Sequence, residues 1–230
     1  MRLTPITALA AAAATAWAAP AAAESFEPPE GCAGFLTVQM RGCMVSNHFV
    51  CEADPEGWRR HVTFRANGPS GASIVDREYQ WLESYGATRQ ERLALPTPDP
   101  ASLTELFEKG EDTYDFTVID MGGEEPVESR VVGVDRLEGG TEVIDGQELK
   151  RTAFAFRKLD AEGEETISAT GAQFVSEDHR LFFPGTETVR VGGRTLDFDN
   201  TPVRFIEPGE PGFFDARPLF GCEVSDAAFR

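Results

Sequence analysis

Residues 32–51 read CAGFLTVQMRGCMVSNHFVC, and the reading of this stretch decides the fold. Within it, Phe35-Leu36-Thr37-Val38-Gln39-Met40-Arg41-Gly42-Cys43-Met44-Val45 is two short strands joined at Arg41-Gly42. Gly42 is available for the positive φ that a tight hairpin turn requires. A turn centred there sets positions whose numbers sum to 83 opposite one another, so Cys32 faces Cys51 and can bond to it across the strands. Cys43 is then left to reach Cys222. The alternative pairs Cys43 with Cys51 around Ser46-Asn47, and Cys32 with Cys222. In both connectivities the hairpin is tied to the far C-terminal end. No C-x-x-C is present, and the cysteine spacing lacks the close ligand pairs of a zinc site, so the cysteines are expected to be structural.

Disulfides need an oxidising compartment, and the start of the chain supplies an address. Arg2, an apolar run of small residues over 6–17 and Ala21-Ala22-Ala23 together have the layout of a secretory signal peptide over 1–23, with cleavage before Glu24. Cys32 follows Pro29-Glu30-Gly31 rather than the small apolar residues of a lipoprotein signal, so no lipid anchor is expected. Residues 24–230 hold no run of spanning length. A soluble periplasmic or secreted protein is expected, built as one β-rich domain over 24–230.

Without Arg2 the chain has 20 basic and 39 acidic residues, a net charge of −19. Such a surface repels phosphate backbones and anionic headgroups alike, which disfavours nucleic acid and peripheral membrane as partners.

Outward from the hairpin, alternation dominates, as in His61-Val62-Thr63-Phe64-Arg65 and Tyr79-Gln80-Trp81-Leu82. Asn67-Gly68, Gly86, Asp145-Gly146, the loop 160–163 and Gly192-Gly193 punctuate the runs as hairpins. Strands are expected over 114–121, 128–137, 141–144, 147–158 and 164–174, and short turns can join them only antiparallel. One helix is signalled, with Asp99 as N-cap, Pro100 in the first turn, Leu103, Leu106 and Phe107 on one face and Gly110 at the end. From about 207 the repeated Pro-Gly steps form an irregular arm leading to Cys222. About a dozen strands and one covering helix predict a curved antiparallel sheet or open barrel. In outline this architecture resembles periplasmic carriers of the lipoprotein-chaperone kind, which implies a concave apolar face; the likeness is one of architecture and no motif carries it.

Chemistry-bearing constellations are sparse. His48, His61 and His179 are expected to be solvated or hydrogen-bonded, with His61 on the polar face of its strand. Gly68-Pro69-Ser70-Gly71 lacks the form of a nucleophile elbow, and Asp197-Phe198-Asp199-Asn200 lacks the glycine and closing glutamate of a calcium loop. No metal or cofactor is implied. The aromatic clusters remain: Tyr79, Trp81 and Tyr85 alternating on one strand face, Phe182-Phe183 beside Pro184, and Phe213 after Pro211-Gly212. They mark a possible apolar ligand face. The function expected is that of a non-catalytic protein taking an apolar or lipid-like small molecule, or an envelope protein, as partner. A hydrolase with an active site outside the known motifs and a structural or adhesion module are the alternatives.

Overall fold

The computed structural model describes residues 25–223; the signal segment and its cleavage site lie outside the described residues. Thirteen strands and one helix follow one another as β1 (Cys32–Met40), β2 (Met44–Cys51), β3 (Arg59–Arg65), β4 (Gly68–Val75), β5 (Trp81–Tyr85), β6 (Gln90–Leu93), α1 (Leu103–Lys109), β7 (Glu111–Asp120), β8 (Val127–Ile144), β9 (Gln147–Leu159), β10 (Glu165–Ser176), β11 (Leu181–Val191), β12 (Arg194–Asp199) and β13 (Pro202–Ile206). Every strand pair is antiparallel, and the strands form one sheet that runs in sequence order from β12 back to β1, with β13 added beside β1. Among the described residues no helix is long and apolar enough to cross a membrane.

Strands β12 and β13 occupy opposite edges of the sheet, yet only Asn200 and Thr201 separate them in the chain. Three Cα steps reach at most about 11 Å, so the two edges meet at that corner and the sheet must roll. How it rolls follows from the registers. Asp135 of β8 faces Asp112 of β7, His61 of β3 faces Ser73 of β4, and His48 of β2 faces both His61 and Leu36. Tracing these pairings from strand to strand puts Leu36, Val38 and Met40 on the same sheet face as Asp135, the face that α1 covers. Those residues pack with Leu149, Phe174, Leu181 and Phe183. Phe174, however, adjoins Gln173, which is level with the Asp135 face, and so points the other way. The inner face of the β1, β2 and β13 end therefore lies on the outer face of β9 to β11, and the sheet overlaps itself like a scroll.

The opening hairpin is longer at its turn than the 83 register requires. Arg41-Gly42-Cys43 form a three-residue connection with Gly42 and Cys43 at positive φ, and the pairs next to it, such as Met40 with Met44, sum to 84. An extra residue at Phe35 then restores Gly34 opposite Phe49 and Cys32 opposite Cys51. The disulfides are Cys32–Cys51 and Cys43–Cys222. The second holds the arm after β13 against the outer face of β1 and β2. There the Phe214 N–H donates to Thr37 Oγ1 at 2.8 Å, Asn47 Nδ2 donates to the Asp215 carbonyl at 3.1 Å, and the Leu219 N–H donates to Gln39 Oε1 at 2.9 Å. Thr37, Gln39 and Asn47 are polar and fully buried because the arm satisfies them.

The helix starts three residues later than Asp99 suggests. Ser102 is the N-cap, its Oγ accepting the Glu105 N–H at 3.1 Å in an S-x-x-E arrangement, and Gly110 closes the helix in the left-handed conformation. Asp99 instead bridges to Asp115 and accepts from Thr113 Oγ1. The stretches 128–137 and 141–144 belong to a single strand, β8, interrupted by a bulge at Gly139-Gly140, both at positive φ. The hairpins at Asp145-Gly146 and Gly192-Gly193 are present where the dipeptides put them.

Candidate functional site

Between α1 and the inner face of the sheet lies a cavity of about 190 Å³. Its floor is one row across five strands, in which Asp112, Asp135, Phe154, Gly171 and Glu187 are successive cross-strand partners. The next row brings Tyr114, Gly133 and Phe156. Two glycines make the floor deep. A Cβ on Gly133 would come within 2.5 Å of the Tyr114 ring and hydroxyl, and one on Gly171 would come within 3.0 Å of Phe154 Cε1 and 2.2 Å of the Thr186 carbonyl. The rings therefore lie flat across bare backbone. Gly133→Ala is expected to cost about 1–3 kcal/mol through overpacking and to displace the Tyr114 ring; urea unfolding with near-ultraviolet circular dichroism would read both.

The walls are aromatic. Trp81 meets Phe116 and Phe156 edge-on at 5.7 and 5.9 Å, and Tyr79 meets Phe182 edge-on at 5.0 Å. Tyr79, itself held at positive φ before β5, anchors its hydroxyl by donating to the Phe182 carbonyl at 3.3 Å. The roof is the segment leading into α1: the Ala101 N–H donates to Gln80 Oε1 at 2.8 Å and the Ser102 N–H to Asp112 Oδ2 at 2.9 Å.

The cavity lining itself carries acids and no base. Asp112 and Asp135 are only 4% and 7% exposed. Burial pushes the Asp135 carboxyl up to about 7, the Gln173 hydrogen bond to Oδ1 opposing it and the neighbouring Asp112 adding to it. Burial likewise pushes Asp112 up to about 6, against the Ser102 amide and with Glu105, Asp99 and Glu78 nearby. Glu187 is raised by burial too, against the opposing charge of Arg65. Among the described residues none of these three carboxylates forms an ion pair. Glu78 at the rim, in contrast, is paired with Arg180, 2.6 Å away, and Glu91 further along the same face is paired with Lys158. Tyr114, 7% exposed and lining the cavity, has no hydrogen-bond partner for its hydroxyl among the described residues.

Of the aromatic residues singled out in the sequence, Tyr79, Trp81 and Phe182 line the cavity. Tyr85 does not, because β5 carries an extra residue at Leu82 opposite the Ile74-Val75 step. The bulge reverses the alternation, turning Trp81 inward and leaving Tyr85 outward, 37% exposed and donating to Glu83. Phe183 points to the opposite face of β11 from Phe182 and is buried in the overlap against Phe205. Phe213 belongs to the arm on the outer face, 4.7 Å from Phe214. Asp112, Tyr114, Asp135, Phe154 and Glu187 were not singled out. Their signal is an acid in apolar phase: Asp112 alternates in step with Tyr114, Phe116 and Val118, and Asp135 with Val131 and Gly133.

The three histidines come together elsewhere. His48 and His61 are cross-strand partners with ring centroids 5.2 Å apart, and His179 stacks on Phe35, which also neighbours His48. His61 thus faces the interior rather than solvent, and burial lowers its imidazole to about 4. His48 is lowered as well, by burial and then by the other two histidines. None of them lines the cavity. Among the described residues no group of His, Cys, Asp and Glu is arranged to hold a metal ion.

Comparison with protein-family models, with curated proteins and with solved structures finds no match for this chain.

Proposed function

We propose that this is an exported, non-catalytic protein that holds a small ligand in the cavity between α1 and the sheet. The observation that carries the reading is the aromatic-walled cavity itself. Dry cavities of about 150 Å³ admit benzene, so 190 Å³ suits one ring or a group of similar bulk, and an entire acyl chain does not fit. A lipid-like ligand would enter by its headgroup or a short terminus. The two disulfides are compatible with an oxidising compartment such as the periplasm.

Trp81 reports on the site from within it. In a Trp58→Phe variant, Trp81 is the tryptophan that remains in the mature chain, and toluene is expected to shift its emission saturably and to add its mass to the protein in native mass spectrometry. Widening the cavity with Phe156→Ala should change the toluene affinity by at least fivefold. An emission that responds only linearly, with no adduct, would sink the reading.

A further inference from the structure

We infer that the ligand of this cavity is an organic cation, a quaternary or methylated ammonium whose charge sits beside Asp112 and Asp135 and whose methyl groups meet the aromatic walls. The inference rests on the cavity being a ligand site, as proposed above.

The placement of the acids is costly to the fold by itself. Like charges directly opposite on neighbouring strands destabilise a sheet, and a buried carboxylate without a counter-charge bears most of its desolvation penalty. The same chain shows the remedy elsewhere on this face, where Lys158 meets Glu91 and Arg180 meets Glu78. Glu187, three strands away from Asp135, is acted on by Arg65, whereas Asp112 and Asp135 have no such cation among the described residues. What stands there instead is a set of rings, Trp81 foremost, and aromatic faces attract cations through their quadrupole, most strongly where water is excluded. An inorganic cation would want a shell of oxygens, and the walls are carbon. An ammonium clothed in methyl groups satisfies walls and floor together.

Independently of the acids, Tyr114 is 7% exposed and lines the cavity, and its hydroxyl has no hydrogen-bond partner among the described residues. A polar substituent beside the ammonium, such as a hydroxyl, would give it one.

The test is calorimetric titration at pH 8 with choline, with its neutral carbon analogue 3,3-dimethylbutan-1-ol, and with toluene. Choline is expected to bind at least tenfold more tightly than the neutral analogue, and Asp135→Asn to narrow that ratio by at least tenfold. Equal or tighter binding of the analogue overturns the cation assignment, and toluene binding in that event leaves the cavity standing as a ligand site. If none of the three binds, both readings fall. Co-sedimentation with phosphatidylcholine vesicles, against phosphatidylglycerol vesicles as control, separates the two sources of the same chemistry. Retention on phosphatidylcholine assigns a lipid headgroup and its absence a free solute, the cation assignment holding in each case where choline binds.

Discussion

Replacing Cys43 and Cys222 together by alanine lowers the free energy of unfolding by about 5 kcal/mol, whereas replacing Cys32 and Cys51 lowers it by about 3 kcal/mol. The difference follows from the chain each bond closes, 179 residues in one case and 19 in the other, because the entropy taken from the unfolded chain grows with the logarithm of the loop. The long bond also has more to hold. The arm it secures supplies the partners for Thr37, Gln39 and Asn47 on the outer face of β1 and β2. Without the bond those hydrogen bonds alone keep the face covered, and hydrogen exchange at the Phe214 and Leu219 amides should accelerate before global unfolding. Urea unfolding of the two double variants ranks them, and a less stable Cys32/Cys51 variant would contradict the account.

The pairing that makes this prediction possible was legible in residues 32–51, though through two compensating errors of register. A two-residue turn at Arg41-Gly42 brings Cys32 to Cys51; the actual three-residue turn would miss by one, and the extra residue at Phe35 brings the pair back. Alternation identifies strands but not bulges, since one inserted residue leaves no mark on local composition. The same blindness separates Tyr85 from Trp81, where the residue at Leu82 reverses the faces. Dipeptides that demand positive φ, such as Asp145-Gly146, were the reliable signs, because their reason is local and steric.

The overlap of the sheet was out of reach for a different reason. It joins β2 and β3 to the turn before β11, and this is how His179 comes to share a cluster with His48 and His61. Nothing within any one strand encodes which layer will lie upon it. The cavity stands between these cases. Its walls were found in part, in Tyr79, Trp81 and Phe182, by their surplus of aromatic surface. Its acids were lost among 39 Asp and Glu, although Asp112 and Asp135 occupy positions where the strand pattern calls for an apolar side chain.

Asp135→Asn stabilises the ligand-free protein by on the order of 4 kcal/mol at pH 8 and by roughly a third of that at pH 5. The direction follows from a carboxyl whose value is raised to about 7 in the fold and returns to about 3.9 when the chain unfolds. A raised carboxyl favours the folded state fully below pH 4, and that contribution drains away as the pH climbs from 4 through 7. Asn keeps the oxygen that accepts from Gln173 Nε2 and cannot ionise, so it escapes the loss. Asp112, Glu187 with Arg65 acting on it, and Glu78 with Arg180 at the rim also belong to this site, and thermal unfolding of the variant against the parent across pH 4–9 isolates the share of Asp135. A cation in the cavity inverts the sign: it is held best by the ionised carboxylate, so choline affinity should rise between pH 5 and pH 8 more steeply in the parent than in the variant, where Asp112, raised to about 6, still titrates. A residue present for the fold alone would lose stability on substitution. One that costs stability when the cavity is empty and repays it when a cation arrives has been placed for the ligand, and equal stability of parent and variant at pH 8 would remove the ground for that view.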